Sequence, residues 1–300
     1  MRKSSQDIVL QELKVKEPKQ LLSFLIEKQV RKSRNAVKSL LAHKQIKINN
    51  KLVTQFDHEL LKGDIVSIMK YNQARKRNKL KGLSIVFEDE YLIVIEKEPG
   101  ILSVGTDKEK TLTIFNILNQ HVKTKDKNTE RIFVLHRLDR EISGLMIFAK
   151  DMETQAIFQK NWDNLVLVQT FTGILEGTLK PDNGTIKSWL TENKNYMVFS
   201  SSSDNGGLEA VTHYKTEHKN NKYSQVVFTL ETRRKNQIRA QMNQLKHPIV
   251  GDRKYGAPNN PIKRIALHAG ELTILHPATG QKLEFKCTMP KTMQELIKSK

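Results

Sequence analysis

The sequence predicts an α+β protein whose main sheet is largely antiparallel, preceded by a small α/β unit. Segments rich in valine, isoleucine and leucine follow one another across short turns, as at 83–88 and 91–95. Helical periodicity is confined to a few stretches, such as 113–122 and 151–161. The 300 residues are enough for one large hydrophobic core and a second, smaller one.

The first part of the chain predicts two helices followed by short strands. Leu21 to Ile26 have helical spacing, and Ser33 is a suitable N-cap for a second helix with apolar positions from Ala36 to Leu41. The segments 46–48 and 65–68 are predicted strands, separated by turn residues.

From residue 83 onward the pattern is strand and turn with occasional helices. Asp151 is a predicted N-cap, and the run from Arg233 to Arg239 is predicted to open a helix. The remaining predicted elements are strands at 83–88, 91–95, 145–149, 165–177, 223–232, 266–269 and 272–275, and a helix at 113–122.

These patterns divide the chain into four segments. Residues 1–17 are polar and mixed in charge, which predicts a loosely ordered lead-in. Residues 18–70 form the small α/β unit, and residues 83–300 form the larger α+β domain. Residues 71–82 are basic and nearly free of apolar side chains, so they are predicted to form an extended linker.

Composition indicates a partner that carries negative charge. Lysine and arginine number 51 against 32 acidic residues, giving a net charge of +19, which is typical of proteins that bind nucleic acid. The sequence lacks a long apolar run, a signal-peptide pattern, metal-ligand spacing and a nucleotide-binding fingerprint. We therefore expect no membrane contact, metal or cofactor. A cytoplasmic monomer is the default expectation. The single cysteine, Cys287, excludes an internal disulfide.

One acid lies at the centre of the sequence, between two apolar runs. Asp139 is flanked by Arg137 and Arg140, and a Ser143-Gly144 turn precedes the buried-strand pattern 145–149. A functional loop on a rigid scaffold is a common form of active site. An aspartate before Ser-Gly is, however, more often a turn or capping residue, so the motif alone leaves both interpretations open.

The stretch H-R-L-D-R-E-I-S-G-L, residues 136–145, resembles the signature H-R-L-D-x-x-T-S-G-L of the RluA-type pseudouridine synthases. The resemblance implies that Asp139 is the catalytic aspartate of an enzyme that isomerises uridine in ribosomal or transfer RNA. It also implies a catalytic domain of the pseudouridine synthase type. Ile142 stands where the family usually has threonine.

Two further segments carry the resemblance. R-K-N-Q-I-R, residues 234–239, is similar to the family's R-x-H-Q-I-R, which implies that Arg239 pairs with Asp139; by itself, Arg239 could equally be an RNA-facing base at a helix start. Phe171 occupies the tyrosine place of a family strand. Its ring can stack on a flipped base, although it lacks the hydroxyl often assigned to proton removal at C5.

Residues 18–70 resemble the RNA-binding domain named after ribosomal protein S4. This similarity implies phosphate contacts from Arg31, Arg34 and Lys38, and also from Lys44. Around the acid, the predicted RNA contacts are Arg137, Arg140 and Arg234.

The sequence therefore supports two main functions. The first is an RNA pseudouridine synthase, whose reaction exchanges a C–N for a C–C glycosidic bond and needs no cofactor. The second is a non-catalytic RNA-binding or ribosome-assembly protein, which the departures at Ile142, Asn236 and Phe171 motivate. A third, weaker hypothesis is an aspartate-nucleophile hydrolase. Replacement of Asp139 separates an enzyme from a binding protein.

Overall fold

The structure is a computed structural model that describes residues 9–31, 33–42, 44–69, 78–106, 109, 111–125 and 131–298. Its N-terminal part is a sheet of strand order β1-β6-β3-β4 with two helices and a small β2-β5 pair. The elements are β1 (Val9–Lys14), β2 (Lys19–Gln20), α1 (Leu21–Glu27), α2 (Arg34–Ala42), β3 (Ile46–Ile48), β4 (Lys51–Leu52), β5 (Glu59–Leu60) and β6 (Ile65–Met69).

Both predicted N-terminal helices are confirmed. The backbone N–H of Ala36 donates to Ser33 Oγ at 3.1 Å, so Ser33 caps α2 as its side chain predicts. Buried Leu21, Leu25 and Val37 join the strands in one small core.

The prediction of a loosely ordered lead-in over 1–17 is wrong for Val9–Lys14. These residues form β1, which pairs antiparallel with β6. Most of its side chains are exposed, so main-chain hydrogen bonds to β6 hold the strand and its mixed polar composition gives no burial signal. Residues 1–8 lie outside the described part of the chain.

The C-terminal part is built on a large sheet of order β14-β13-β15-β16-β12-β17-β11-β9-β8-β7, with β10 beside β11 and β18 beside β17. Its strands are β7 (Asn78–Leu80), β8 (Leu83–Glu88), β9 (Leu92–Lys97), β10 (Phe133–Val134), β11 (Ser143–Ala149), β12 (Val166–Glu176), β13 (Asn183–Glu192), β14 (Val198–Ser201), β15 (Leu208–Lys219), β16 (Tyr223–Leu230), β17 (Leu267–Leu275) and β18 (Lys282–Lys286).

Four α-helices and a 3₁₀ turn accompany this sheet among the described residues. They are α3 (Ile114–Lys125), α4 (Met152–Leu165), α5 (Gln237–Gln244), the 3₁₀ turn (Arg253–Tyr255) and α6 (Lys291–Lys298). Within the described ranges, no helix has the length and apolar character needed to cross a membrane.

Several predicted boundaries change. Asn78–Leu80, assigned to the linker 71–82, form β7 and pair with β8 across a tight turn, while residues 71–77 lie outside the described chain. The two predicted late strands are one continuous strand, β17. The helix expected from Arg233 begins only at Gln237, because Asn236 adopts a left-handed conformation with φ 53°.

A parallel pairing fixes the start of β11. Ser143 and Gly144 pair with His268 and Ala269 of β17, whereas the other paired strands run antiparallel among the described residues. A Cβ on Gly144 would lie 2.2 Å from the carbonyl oxygen of Ala269, so only glycine permits this approach. The loop that carries Asp139 leads directly into this contact.

Buried polar groups hold that loop from below. Lys97, which is fully buried, donates from Nζ to the carbonyl oxygens of Arg140 at 2.9 Å and Ile142 at 2.8 Å. Burial lowers the pKa of Lys97 to about 7. Ser103 Oγ accepts from the backbone N–H of Leu138 at 3.2 Å. The loop backbone is therefore tied at three successive points, which makes it a rigid support.

Two histidines, half-buried His136 and buried His268, also lie beside the loop. His136 Nε2 accepts from the N–H of Ile147 at 3.1 Å, and His268 Nδ1 lies 2.8 Å from Ser143 Oγ. Burial lowers the pKa of both histidines to about 4, with smaller contributions from Arg233 at His136 and Arg264 at His268. Both imidazoles are consequently neutral near pH 7.

We predict that Lys97→Met destabilises the fold by about 1–3 kcal/mol, because buried carbonyl oxygens lose their donor. Urea unfolding measures the change. Lys79→Met is the matched control, because that lysine lies on β7 of the same sheet with its side chain 75% exposed and should change stability by less than about 0.5 kcal/mol. Equal effects of the two substitutions would contradict the buried support.

We also predict acid sensitivity from His268. The unfolded chain binds protons near pH 6.5, whereas folded His268 binds them only near pH 4. The free energy of unfolding should therefore fall between pH 6.5 and 4.5, by about 2 kcal/mol from this residue. His268→Gln should flatten this slope, and the exposed-site control His213→Gln should not. Parallel slopes for wild type and His268→Gln would refute the assignment.

Candidate active site

A basic cleft of about 850 Å³ opens above the Asp139 loop. Asp139 is the only carboxylate among the described residues that line it. The lysines and arginines in the same lining are Arg137, Arg140, Arg233, Arg234, Lys235, Arg239 and Lys254. Such an excess of positive charge attracts a polyanion into the cleft that contains Asp139.

The predicted ion pair between Asp139 and Arg239 is present. Arg239 Nη1 donates to Asp139 Oδ2 at 2.7 Å, joining side chains that are 100 residues apart in the sequence. The Asp139 side chain is 38% exposed and that of Arg239 only 10%. The carboxylate thus faces the cleft while its cation is embedded in the protein.

A second carboxylate, Asp252, holds Arg239 from behind. Arg239 Nε donates to Asp252 Oδ2 at 2.6 Å and Nη2 donates to Oδ1 at 2.9 Å, in a bidentate pair. The guanidinium also stacks on the ring of buried Tyr255, with 4.7 Å from Cζ to the ring centroid. Burial by itself lowers the pKa of Arg239, but Asp252 and Asp139 outweigh it and raise that pKa, so the cation is permanent.

From the sequence, Gly251-Asp252 and Tyr255-Gly256 indicate only scaffold around the pocket. Their Gly-Asp and Tyr-Gly motifs match family text, yet nothing local to them indicates which side chain they bind. Their role depends on a contact with α5, which is distant in sequence.

Two departures from the family signature have simple structural explanations. Asn236 Oδ1 accepts from Arg239 Nη1 at 3.0 Å, so the amide supplies an acceptor beside the ion pair. Ile142 is buried in the main core, and its contacts to the loop run through the backbone: its N–H donates to the Asp139 carbonyl at 3.1 Å.

Phe171 lies in β12, is 7% exposed and lines the cleft with Asp139 and Arg239. The three side chains predicted as catalytic are therefore brought to one cleft. Phe171 offers an aromatic edge or face to a base but no proton acceptor.

Arg137, Arg140 and Arg234 line the same cleft and are exposed. Arg140 forms an ion pair with Glu109, and Arg234 Nε donates to the carbonyl of Glu209 at 3.1 Å. The cleft cations Arg233, Lys235 and Lys254 were not assigned from sequence. The first two belong to the visible run Arg233-Arg234-Lys235, whereas Lys254 carries no sequence signal.

The predicted N-terminal RNA contacts do not line this cleft. Arg34 is exposed on α2, and Lys38 Nζ lies 5.7 Å from the centroid of the Phe56 ring. Arg31 is half-buried, and its guanidinium donates to the Val30 carbonyl at 2.8 Å and to Gln281 Oε1 at 3.4 Å. Lys44 is exposed. Phosphate binding by these side chains stays a prediction.

One group of described residues has metal-ligating chemistry: Glu96, His268 and Cys287, whose ligand atoms lie within 4.8 Å of one another. None of them lines the cleft. Both ring nitrogens of His268 already have partners, Ser143 Oγ at 2.8 Å and Cys287 Sγ at 3.1 Å. Ser143, His268 and Cys287 therefore form a buried hydrogen-bond chain.

Comparison with known proteins agrees with the site. Residues 91–244 match the sequence model of the RNA pseudouridylate synthase family. The chain is 31% identical over 288 residues to the uncharacterized RNA pseudouridine synthase YhcT of Bacillus subtilis, covering 95% of this chain and 94% of that one. It is 30% identical over 304 residues to the ribosomal large subunit pseudouridine synthase D of Buchnera aphidicola, covering 93% and 94% respectively.

The fold has a solved counterpart. Human RNA pseudouridylate synthase domain containing 4 superposes with a TM-score of 0.60 at 22% identity, covering 71% of this chain and 92% of that one. With the family match spanning about half of the chain and full-length relatives near 30% identity, the chain belongs to the RNA pseudouridylate synthase family and is an RNA-modifying isomerase.

Proposed function

We propose that this enzyme converts uridine to pseudouridine in large-subunit ribosomal RNA, with Asp139 as the catalytic carboxylate. One observation supports this chemistry: Asp139 is the single carboxylate among the described residues of the cleft lining, and it is bonded to Arg239. Arg239 is itself held in place by Asp252. The choice of RNA follows relatives from Buchnera aphidicola and Vibrio cholerae that are named for the ribosomal large subunit.

The target base must leave its stack before any bond can break. A cleft of about 850 Å³ has room for one extruded nucleotide. Phe171 supplies an aromatic surface beside Asp139, and its ring would replace part of the stacking that the base loses.

The reaction breaks the N1–C1′ bond, rotates the base and joins C5 to C1′. Asp139 either attacks C1′ as a nucleophile or removes a proton from the ribose as a base. Both routes require an ionised carboxylate in a fixed rotamer, and Arg239 supplies the charge and direction for it at 2.7 Å.

The proton balance closes within the cleft. C5 loses a proton and N1 gains one, so no group is imported. Phe171 has no hydroxyl to accept the C5 proton, which leaves water or the carboxylate of Asp139 as acceptor. His136 is unsuited, because its Nε2 is already bonded to the backbone and burial lowers its pKa to about 4.

Binding energy would come from phosphate contacts that surround this centre. Arg137, Arg140 and Arg234 are exposed at the cleft. Exposed Arg34 and Lys38, with Arg31 beside them, would give the 18–70 unit further contacts that hold RNA without reading its sequence.

Asp139→Asn should abolish pseudouridine formation and change RNA affinity less than about threefold, because the amide keeps the shape but is neither a nucleophile nor a base. Chemical mapping of pseudouridine in large-subunit ribosomal RNA measures the activity, and filter binding measures the RNA affinity. The control Asp182→Asn removes an exposed acid that pairs with Lys219 outside the cleft, and should keep full activity. Residual turnover by Asp139→Asn would disprove the role of the acid.

Mapping across total RNA from cells with and without the protein tests the substrate class. We expect lost sites in large-subunit ribosomal RNA. Sites lost only from transfer RNA would overturn the choice of RNA and leave the reaction unaffected.

Arg239→Lys should lower kcat at least about 100-fold with a small effect on KM, because one ammonium cannot bridge Asp139 and Asp252 as the planar guanidinium does. Single-turnover and steady-state rates measure this. Arg253→Lys is the matched control, since Arg253 is exposed beside Asp252 and does not line the cleft. A wild-type kcat for Arg239→Lys would exclude the guanidinium from catalysis.

A further inference from the structure

Tyr196 places a large aromatic ring in solvent at the cleft that holds Asp139. It is 71% exposed and belongs to the lining of that cleft. A ring so exposed contributes little to the core and is accessible to a molecule bound in the cleft.

Hydrogen bonds fix the backbone of the turn between β13 and β14, from which this ring projects. Asn193 Oδ1 accepts from the N–H groups of Asn195 at 2.9 Å and Met197 at 3.0 Å. The N–H of Tyr196 donates to the Asn193 carbonyl at 2.9 Å. Tyr196 has φ 57°, a left-handed conformation that tyrosine rarely adopts. The strained residue is thus kept by a fully bonded turn.

The same turn is attached to the catalytic centre at two points. Lys254 Nζ donates to the Tyr196 carbonyl at 3.3 Å, and the N–H of Val198 donates to Tyr255 Oη at 3.3 Å. Tyr255 is the residue under the Arg239 guanidinium. The 3₁₀ turn that follows Asp252 therefore positions the backbone at Tyr196 relative to the reacting carboxylate.

Positive charge flanks the ring. Lys235 Nζ lies 5.1 Å from the ring centroid and also pairs with Glu192 at the edge of the cleft, and exposed Lys254 lies on the adjoining turn. An exposed aromatic face between cations is the arrangement with which proteins bind unpaired bases along a nucleic-acid strand.

We propose that Tyr196 is the stacking platform for the unpaired base next to the target uridine, with Lys235 and Lys254 facing the phosphates on either side. A flipped nucleotide leaves a gap in the strand, and stacking of its neighbour would hold the strand open at the cleft. The proposal depends on the proposed function only in that RNA occupies this cleft.

The binding test uses a fluorescein-labelled uridine dodecamer and fluorescence anisotropy. Tyr196→Leu should weaken its affinity about 5- to 150-fold, the range for loss of one stacked base. Tyr196→Phe should bind like wild type, because the ring is retained. Phe199→Leu, a loss of an exposed aromatic on neighbouring β14 outside the cleft, should have no effect. Equal binding by the Leu and Phe variants of Tyr196, or no binding by wild type, would overturn the proposal.

A stability measurement separates stacking from a structural role. Tyr196→Gly should weaken dodecamer binding as Tyr196→Leu does while leaving the urea midpoint unchanged or higher, because glycine adopts a positive φ without strain. A lower midpoint with unchanged binding would assign the ring to folding instead.

Photocrosslinking locates the contact. A dodecamer carrying one 5-iodouridine should crosslink to the peptide that contains Tyr196, and mass spectrometry identifies it; a crosslink confined to other peptides would reject the platform. These readouts need no turnover. Failure of wild type to modify ribosomal RNA would therefore refute the proposed function separately from the stacking.

Discussion

One guanidinium shared by two carboxylates is the contact on which the site depends. Arg239 is bound at two nitrogens by buried Asp252 and offers a third to Asp139 at the cleft floor. Taking a charge out of water is costly unless it is paired and hydrogen-bonded. Here the buried acid Asp252 offsets that cost, and stacking on Tyr255 stabilises the cation further. The more exposed acid, Asp139, is kept ionised and oriented into the cleft without being buried itself.

The loop that carries Asp139, the other member of the ion pair, is held as firmly as Arg239. The parallel contact of β11 with β17 sets where the Asp139 loop ends, and Lys97 and Ser103 bind its backbone from beneath. Each support uses main-chain atoms of the loop. Its exposed side chains, Arg137 among them, are therefore free to vary in their partners without moving the acid.

Sequence reasoning predicts the parts of this account that are local or that carry a family signature. Helices α1 and α2, the hairpin of β8 and β9, and the pairing of Asp139 with Arg239 were all predicted. The strand Val9–Lys14 was not, because edge pairing through the backbone leaves no apolar pattern. The binding of Asp252 to Arg239 and the Lys97 support were also missed, since each joins segments that only the folded chain brings together. Ile142 and Asn236 depart from the motif; Ile142 packs in the main core and Asn236 accepts a hydrogen bond from Arg239.

A double-mutant cycle on the single-turnover rate with large-subunit ribosomal RNA tests the central claim most directly. If Asp252 acts through Arg239, Asp252→Asn and Arg239→Lys share one pathway, and the double variant should be about as slow as the slower single variant. Multiplied rate losses, as expected of independent residues, would contradict the shared guanidinium as the organising contact.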